Sequence, residues 1–213
     1  MIMKQVLRNT YNNYCNARKK KMTEREWLLF TPQIPAFPSS MRVMVWRRLQ
    51  GAGAVSLQNG VWILPRSLEH ERLIRDLFAE VERQGGSGFI LIADAFDPTF
   101  HTRIVARFQA EREQEYAEFG ERCEAFLQEI EKETQAQKFT FAELEENEHD
   151  LLKLTSWLRK IQSRDFFRGP RSEGAVHALA RCRRALDTFT ATVYAKAGLE
   201  STDEHHASLE EEP

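Results

Sequence analysis

Residues 54–65 read Ala54-Val55-Ser56-Leu57-Gln58-Asn59-Gly60-Val61-Trp62-Ile63-Leu64-Pro65. Two apolar-rich runs flank Asn59-Gly60, the dipeptide best suited to a two-residue hairpin. The stretch therefore predicts two antiparallel strands joined by a type I′ turn. On its N-terminal side, Gly51 and Gly53 close a helix that starts at Ser39 or Ser40 and runs to about Gln50. Either serine can cap it. Met41, Val45, Trp46 and Leu49 recur at helical spacing and predict its buried face. Further back, Trp27-Leu28-Leu29-Phe30 is apolar on both sides and predicts a buried strand. Thr31 to Ser40, with Pro32, Pro35 and Pro38, predicts a loop. On the C-terminal side a helix is expected from about Ser67 to Gln84, with Leu73, Ile74, Leu77, Phe78 and Val81 as its buried stripe. Gly85-Gly86 stops it, and Phe89-Ile90-Leu91-Ile92 predicts another buried strand.

The order β-α-β-β-α-β is the ferredoxin-like arrangement, a four-stranded antiparallel sheet with two helices on one face. A sheet covered on one face only should alternate apolar and polar residues. Here the first, third and fourth strands are apolar on both sides. The second face is therefore expected to be covered too, by the C-terminal helices or by another copy of the chain.

From about residue 101 the period becomes helical. Tyr116, Phe119, Cys123, Phe126 or Leu127, and Ile130 repeat every three or four residues. Thr140-Phe141-Ala142-Glu143 has the form of a capping box. It opens a second helix to about Gln162, with Leu144, Leu151, Leu154, Leu158 and Ile161 on one face. After a loop over residues 165–171, Leu179, Cys182, Leu186, Phe189 and Val193 follow an a/d-like spacing. The expected class is α+β: a basic extension over 1–23, a ferredoxin-like domain over 24–98, a helical region of about three helices over 99–196, and an acidic disordered tail over 197–213. Residues 1–21 are either a basic arm or lie ahead of a true start at Met22.

The net charge of −2 hides a strong segregation. Residues 1–66 hold eleven basic and two acidic side chains, and 157–196 hold nine and three. Such blocks suit a phosphate backbone or an oxyanion, or else pair with the acidic middle of the chain. Arg42, Arg47 and Arg48 lie on the first helix, whose N-terminus adds partial positive charge. They do not share one stripe, since Arg47 and Arg48 fall about 140° and 240° round from Arg42. Arg168, Arg171, Arg181, Arg183 and Arg184 make the second cluster. Guanidinium forks suit phosphate and tetrahedral oxyanions. The alternative is neutralisation of Glu121, Glu124, Glu129 and Glu131. Glu146 and His149 have Glu-x-x-His spacing, which in metal bundles needs a second copy that is missing here. His205-His206 is a weaker metal candidate, and Asp94 and Asp97 follow the fourth strand without a visible partner. Cys123 and Cys182 sit at apolar helix positions and are expected to be buried rather than to reduce an oxidant. No nucleophile–base set, phosphate loop or zinc spacing is legible. The expectation is a non-enzyme with no cofactor and no metal.

The apolar runs are far too short to span a bilayer, and no secretory signal is visible. Three cysteines, Cys15, Cys123 and Cys182, without a CxxC pair, fit a reducing compartment. A cytoplasmic protein without a membrane segment is expected.

The run from Pro38 through Arg42, Trp46, Arg47, Arg48, Gly51 and Gly53 to Val55 resembles the opening of the ChrB family. So does Asn59-Gly60-Val61-Trp62-Ile63-Leu64-Pro65. The segment from Arg164-Asp165-Phe166-Phe167 to Val193-Tyr194-Ala195 is similar to the end of that family's N-terminal region. The likeness covers roughly residues 24–196. It implies a regulator of a chromate-efflux operon that associates with DNA as a homodimer and takes chromate as effector. The family pattern continues into a C-terminal domain beyond the segment matched here, so the resemblance leaves open where sensing resides. Residues 27–92 also look like the ferredoxin-like domain of PaaX-type repressors and of CRISPR integration nucleases, a likeness of fold that does not fix function. Those nucleases carry an aspartate at the end of the first strand, where Phe30-Thr31-Pro32-Gln33 stands here. The other reading is a non-catalytic module that pairs with a separate partner protein.

If residues 1–21 lie ahead of the true start, a chain started at Met22 is expected to melt at the same temperature as the full chain, checked by circular dichroism; a clear loss of stability would mark the arm as structural.

Overall fold

The computed structural model describes residues 26–37 and 39–198. The expected basic arm over 1–23, Cys15, His205-His206 and the acidic tail beyond Gly198 lie outside the described residues. The chain forms two compact units. Of the described residues, those up to Gln109 together with Arg164–Phe167 make one, and Ala110–Ser163 with those from Arg168 onward make the other.

In the first unit, β1 (Glu26–Gln33), β2 (Val55–Gln58), β3 (Val61–Pro65) and β4 (Ser87–Asp94) form one antiparallel sheet in the order β2-β3-β1-β4. Helices α1 (Ser39–Gly51) and α2 (Leu68–Arg83) connect them, so the β-α-β-β-α-β reading holds. Alternation along β1 sends Leu28 and Phe30 to one face. There they pack with Met41, Val45 and Leu49 of α1 and Ile74, Leu77 and Val81 of α2. Ser67 caps α2, its hydroxyl accepting from the His70 amide at 3.0 Å. The His70 ring is buried and its Nδ1 donates to the Pro65 carbonyl at 2.6 Å.

Trp27 points to the opposite face and is only 2% exposed. Val55, Ile63 and Phe108 join it, with Ile104, Val105, Phe166 and Phe167 packed around them. Trp27 stacks on Phe108 at 5.6 Å between ring centroids. The second face is thus covered over β1, β2 and β3. The cover is the beginning of α3 (Pro98–Gln135) and the Phe166-Phe167 pair, which the sequence shows only as a loop.

Three sequence expectations are corrected. β4 is not buried: it is an edge strand, the cover stops at β1, and Phe89 and Leu91 are 64% and 51% exposed. β1 does not end at Phe30 but continues through Pro32, which pairs with Gly88 on β4. By that point β3 has already turned back, so Pro32 needs no second ladder partner. The Asn59-Gly60 turn is not type I′, because that turn requires positive φ at both central residues and only Gly60 has it (φ 78°). An irregular register between Ser56 and Gln58 accompanies it.

Gly53 also has positive φ (78°), and a Cβ there would lie 2.9 Å from the Arg164 side chain and 3.1 Å from Phe166. Only glycine suits this tight exit from α1.

In the second unit, α3 from Ala110, α4 (Phe141–Ser163) and α5 (Arg171–Lys196) share one core. It contains Phe119, Cys123, Ile130, Leu144, Leu158, Ile161, Leu179, Cys182, Phe189 and Val193, as their spacing predicts. Only half of the capping box forms: the Thr140 hydroxyl accepts from the Glu143 amide at 3.2 Å, while the Thr140 amide donates to Lys138. The Glu143 carboxylate is drawn instead to Lys138, at 3.3 Å. A side-chain polar contact is buried in the core of this unit. Asn147 Nδ2 donates to Glu133 Oε2 at 2.6 Å and to the Glu143 carbonyl at 2.9 Å. Burial pushes the Glu133 carboxyl up. No helix among the described residues is long and apolar enough to cross a membrane.

Arg66 ties the end of β3 to β1 and α2, reaching Glu26 and Glu71 at 2.8 Å each. Burial acts to raise the Glu71 carboxyl, but the Arg66 and Arg75 guanidiniums outweigh it and hold it below its ordinary 4.5. A depressed carboxyl stabilises the fold above its unfolded pKa and loses that contribution as pH falls through the folded value. Glu71→Gln is therefore expected to cost about 1 kcal/mol at pH 7 and to flatten the loss of stability below pH 4.5, read from thermal melts across pH 2–7.

Candidate nucleic-acid interface

Helix α1 buries Met41, Val45 and Leu49, three positions four residues apart. These side chains define the inner face and so fix which side chains look outward. Val43, Arg47 and Gln50 lie near the middle of the outer face, with Arg42 and Trp46 on one shoulder and Arg48 on the other. All three arginines are exposed. Trp46, expected on the buried stripe, is instead 53% exposed. It lies one position past Val45, and that rotation of about 100° takes its ring clear of the sheet. The solvent side of the helix therefore carries Arg47 near its middle with the Trp46 indole beside it, Arg42 and Arg48 on opposite flanks and the nearby exposed Phe37, and no acidic residue lies anywhere on the helix.

The three arginines are held differently. Arg42 donates to the Ala36 carbonyl at 3.0 Å, which anchors its head beside the start of α1. Arg47 and Arg48 make no ion pair with any described residue. Sequence reasoning located these residues but missed Trp46. The usable signal was Val45: with Met41, Val45 and Leu49 as the seam, the next residue must leave it.

The second cluster lies in the helical unit and is largely engaged. Arg181 pairs with Glu124 at 2.8 Å, as the neutralising alternative anticipated. Arg171 pairs through Nε with Glu113 at 3.0 Å, and the same carboxylate accepts the Arg171 backbone amide at 3.3 Å. Glu113 thereby serves the N-terminus of α5, whose preceding residue is Pro170 and supplies no side-chain cap. Arg168 and Arg184 are exposed and form no ion pair with a described residue. Arg183 and Arg159, the latter not singled out from the sequence, flank a groove of about 260 Å³ between α4 and α5, together with Thr155 and Gln162. Each follows directly on a buried residue, Leu158 or Cys182, which places it at the rim of the helix seam.

The carboxylate and thiol candidates do not form a reactive centre. Asp97 Oδ1 accepts the amides of Thr99 and Phe100 at 2.8 and 3.0 Å and caps α3. Glu146 and His149 are both exposed on α4. Among the described residues no three His, Cys, Asp or Glu side chains are placed to hold a metal ion. Cys123 and Cys182 are both fully buried, and the Cys182 thiol lies 3.6 Å from the Cys123 carbonyl. Contact with Cys182, reinforced by burial, pushes the Cys123 thiol far above its ordinary range. A buried, protonated thiol is a poor nucleophile and a poor reductant.

Two comparisons bear on this arrangement. The family described as Protein ChrB, N-terminal, matches residues 42–200, well over half of the chain and including α1 from Arg42 onward. Protein ChrB of Cupriavidus metallidurans is 28% identical over 96 residues. That match covers 45% of this chain and 29% of the relative, so the matched segment spans less than a third of that protein's length.

In a Cys15→Ser background, Cys123 and Cys182 are expected to resist an aromatic disulfide reagent in the native state and to react fully once unfolded, counted by released chromophore.

Proposed function

Because this chain belongs to the family of the ChrB N-terminal domain, we propose that it is a DNA-associated regulator in a chromate-resistance system, with the outer face of α1 as its phosphate-contacting surface. The observation that carries the reading is the exposure of Arg42, Trp46, Arg47 and Arg48 on a helix without an acid. Guanidiniums on such a face displace counterions from a phosphate backbone, and an indole among them adds contact with sugars and bases. No recognition helix in a helix-turn-helix is part of the proposal, so sequence preference would rest on DNA shape and on a few side chains of α1. The role is non-catalytic. Chromate, a tetrahedral oxyanion, is the proposed effector. Arg168, Arg183 and Arg184, which keep no described acid partner, are chemically suited to it.

A second reading is favoured by a different observation. Phe89 and Leu91 on β4 leave apolar surface in solvent, as expected of a non-catalytic module that pairs with a separate protein.

Fluorescence anisotropy on the chain's own upstream DNA and on scrambled DNA, at two salt concentrations and with or without chromate, separates the two. The expected result is preferential binding that weakens steeply with salt and is released by chromate. Arg47→Ala together with Arg48→Ala should reduce affinity on both DNAs and lower the salt slope by about two. Trp46→Ala should weaken binding while leaving the melting temperature unchanged. Equal or absent binding to both DNAs would favour the interaction module.

A further inference from the structure

We propose that β4 is a self-association edge, on which a second copy of this chain adds its own β4 antiparallel to the first. β4 runs for eight residues and pairs with β1 along its whole length, Glu26 opposite Asp94 through Gln33 opposite Ser87. Its other edge faces no strand among the described residues. A row of backbone N–H and C=O groups is left there for another chain.

Natural edge strands are usually protected by a lysine, a proline, an inward charge or shortness. From Ser87 to Ala93, Ser-Gly-Phe-Ile-Leu-Ile-Ala has none of these. Phe89 is 64% exposed, Leu91 51% and Ile92 39%. Beyond the strand, Phe96 and Phe100 contact one another at 6.1 Å and are also exposed. The exposed surface of these five side chains comes to roughly 550 Å² per copy, so at most about 1,100 Å² could be buried between two copies, a value at the lower limit for a specific interface.

The character of the strand selects the occupant. Antiparallel self-pairing about a two-fold axis is closed and uses one patch twice. Centred on Leu91, it sets Phe89 against Ala93 and Ile90 against Ile92, a large residue against a small one and like against like. The only charged residue, Asp94, falls opposite Gly88 rather than opposite its own copy. With its one charge at the end of the strand and none from Ser87 to Ala93 to choose a different partner, the complement that this edge fits is itself. The result is a continuous eight-stranded sheet with both copies of α1 on the same side, because a two-fold axis perpendicular to a sheet preserves its faces. The inference does not depend on DNA binding.

The test is sedimentation equilibrium of the full chain over micromolar to hundred-micromolar concentrations. A dimer is expected. Phe89→Lys with Leu91→Lys should convert it to a monomer, and because both positions are solvent-exposed, its circular dichroism spectrum should not change. A wild-type monomer throughout the range, or a folded lysine variant that remains dimeric, overturns the proposal. If the lysine variant fails to fold, single cysteines at 89, 91 and 93 in a Cys15→Ser background decide the matter. Oxidation should link at least one of them to its counterpart, and a dimer in which none links refutes the edge. A monomer that nevertheless binds a different protein through this edge would overturn self-pairing in favour of a foreign strand.

Discussion

Burial of β1 on both faces is the constraint on which the first unit depends. A central strand bonded on both sides cannot leave either face in water when its side chains are Trp27, Leu28 and Phe30. Two helices satisfy one face in the usual ferredoxin-like manner. The other recruits residues far away in sequence: Phe108 near the start of a 38-residue helix, and Phe166-Phe167 beyond a second helix. Each large buried side chain in such a layer is worth about 1.5–3 kcal/mol relative to exposure. These aromatic residues therefore belong energetically to the sheet, although the intervening chain forms another unit.

The same geometry explains which cations keep no ion pair among the described residues. Arg66 lies at the junction of β3, β1 and α2, where Glu26 and Glu71 converge on it. Arg171 and Arg181 meet acids on α3 inside the helical unit. Arg47 and Arg48 sit on the one helix of the first unit whose sequence offers no acid at any position. Surface ion pairs stabilise little, so the contrast matters more for recognition than for stability. A guanidinium without an acidic partner among the described residues keeps its hydrogen-bonding capacity for an external anion.

The helical unit is organised by one apolar seam with a polar insertion. Asn147 reaches back to Glu133 and to the Glu143 carbonyl, so the Glu133 carboxyl is buried with a donor beside it. A buried polar group of this kind costs stability unless satisfied, and it favours one helix register over its neighbours. Cys123 and Cys182 fill the same seam as small apolar residues, and that packing is why both are expected to resist reagents in the native state.

The sequence by itself determined the order of elements, because strand and helix periodicities are local and Gly51, Gly53, Gly60 and Gly85-Gly86 punctuate them at fixed places. It also determined the inner faces of α2, α4 and α5, where apolar residues recur every three or four positions. It pointed to Arg42, Arg47 and Arg48 but not to the indole among them. Trp46 adjoins a buried stripe, and composition cannot tell a residue inside the seam from one just beyond it. Only the tertiary structure decided what each face of the sheet meets. An apolar strand looks the same in sequence whether it lies at the centre, as β1 does, or at the edge, as β4 does, because the difference is a matter of neighbours. Likewise, Arg171 and Arg181 carry the same charge as Arg184. Whether such a charge is neutralised depends on whether a carboxylate from another helix comes within about 3 Å, and that distance is fixed by packing rather than by spacing along the chain.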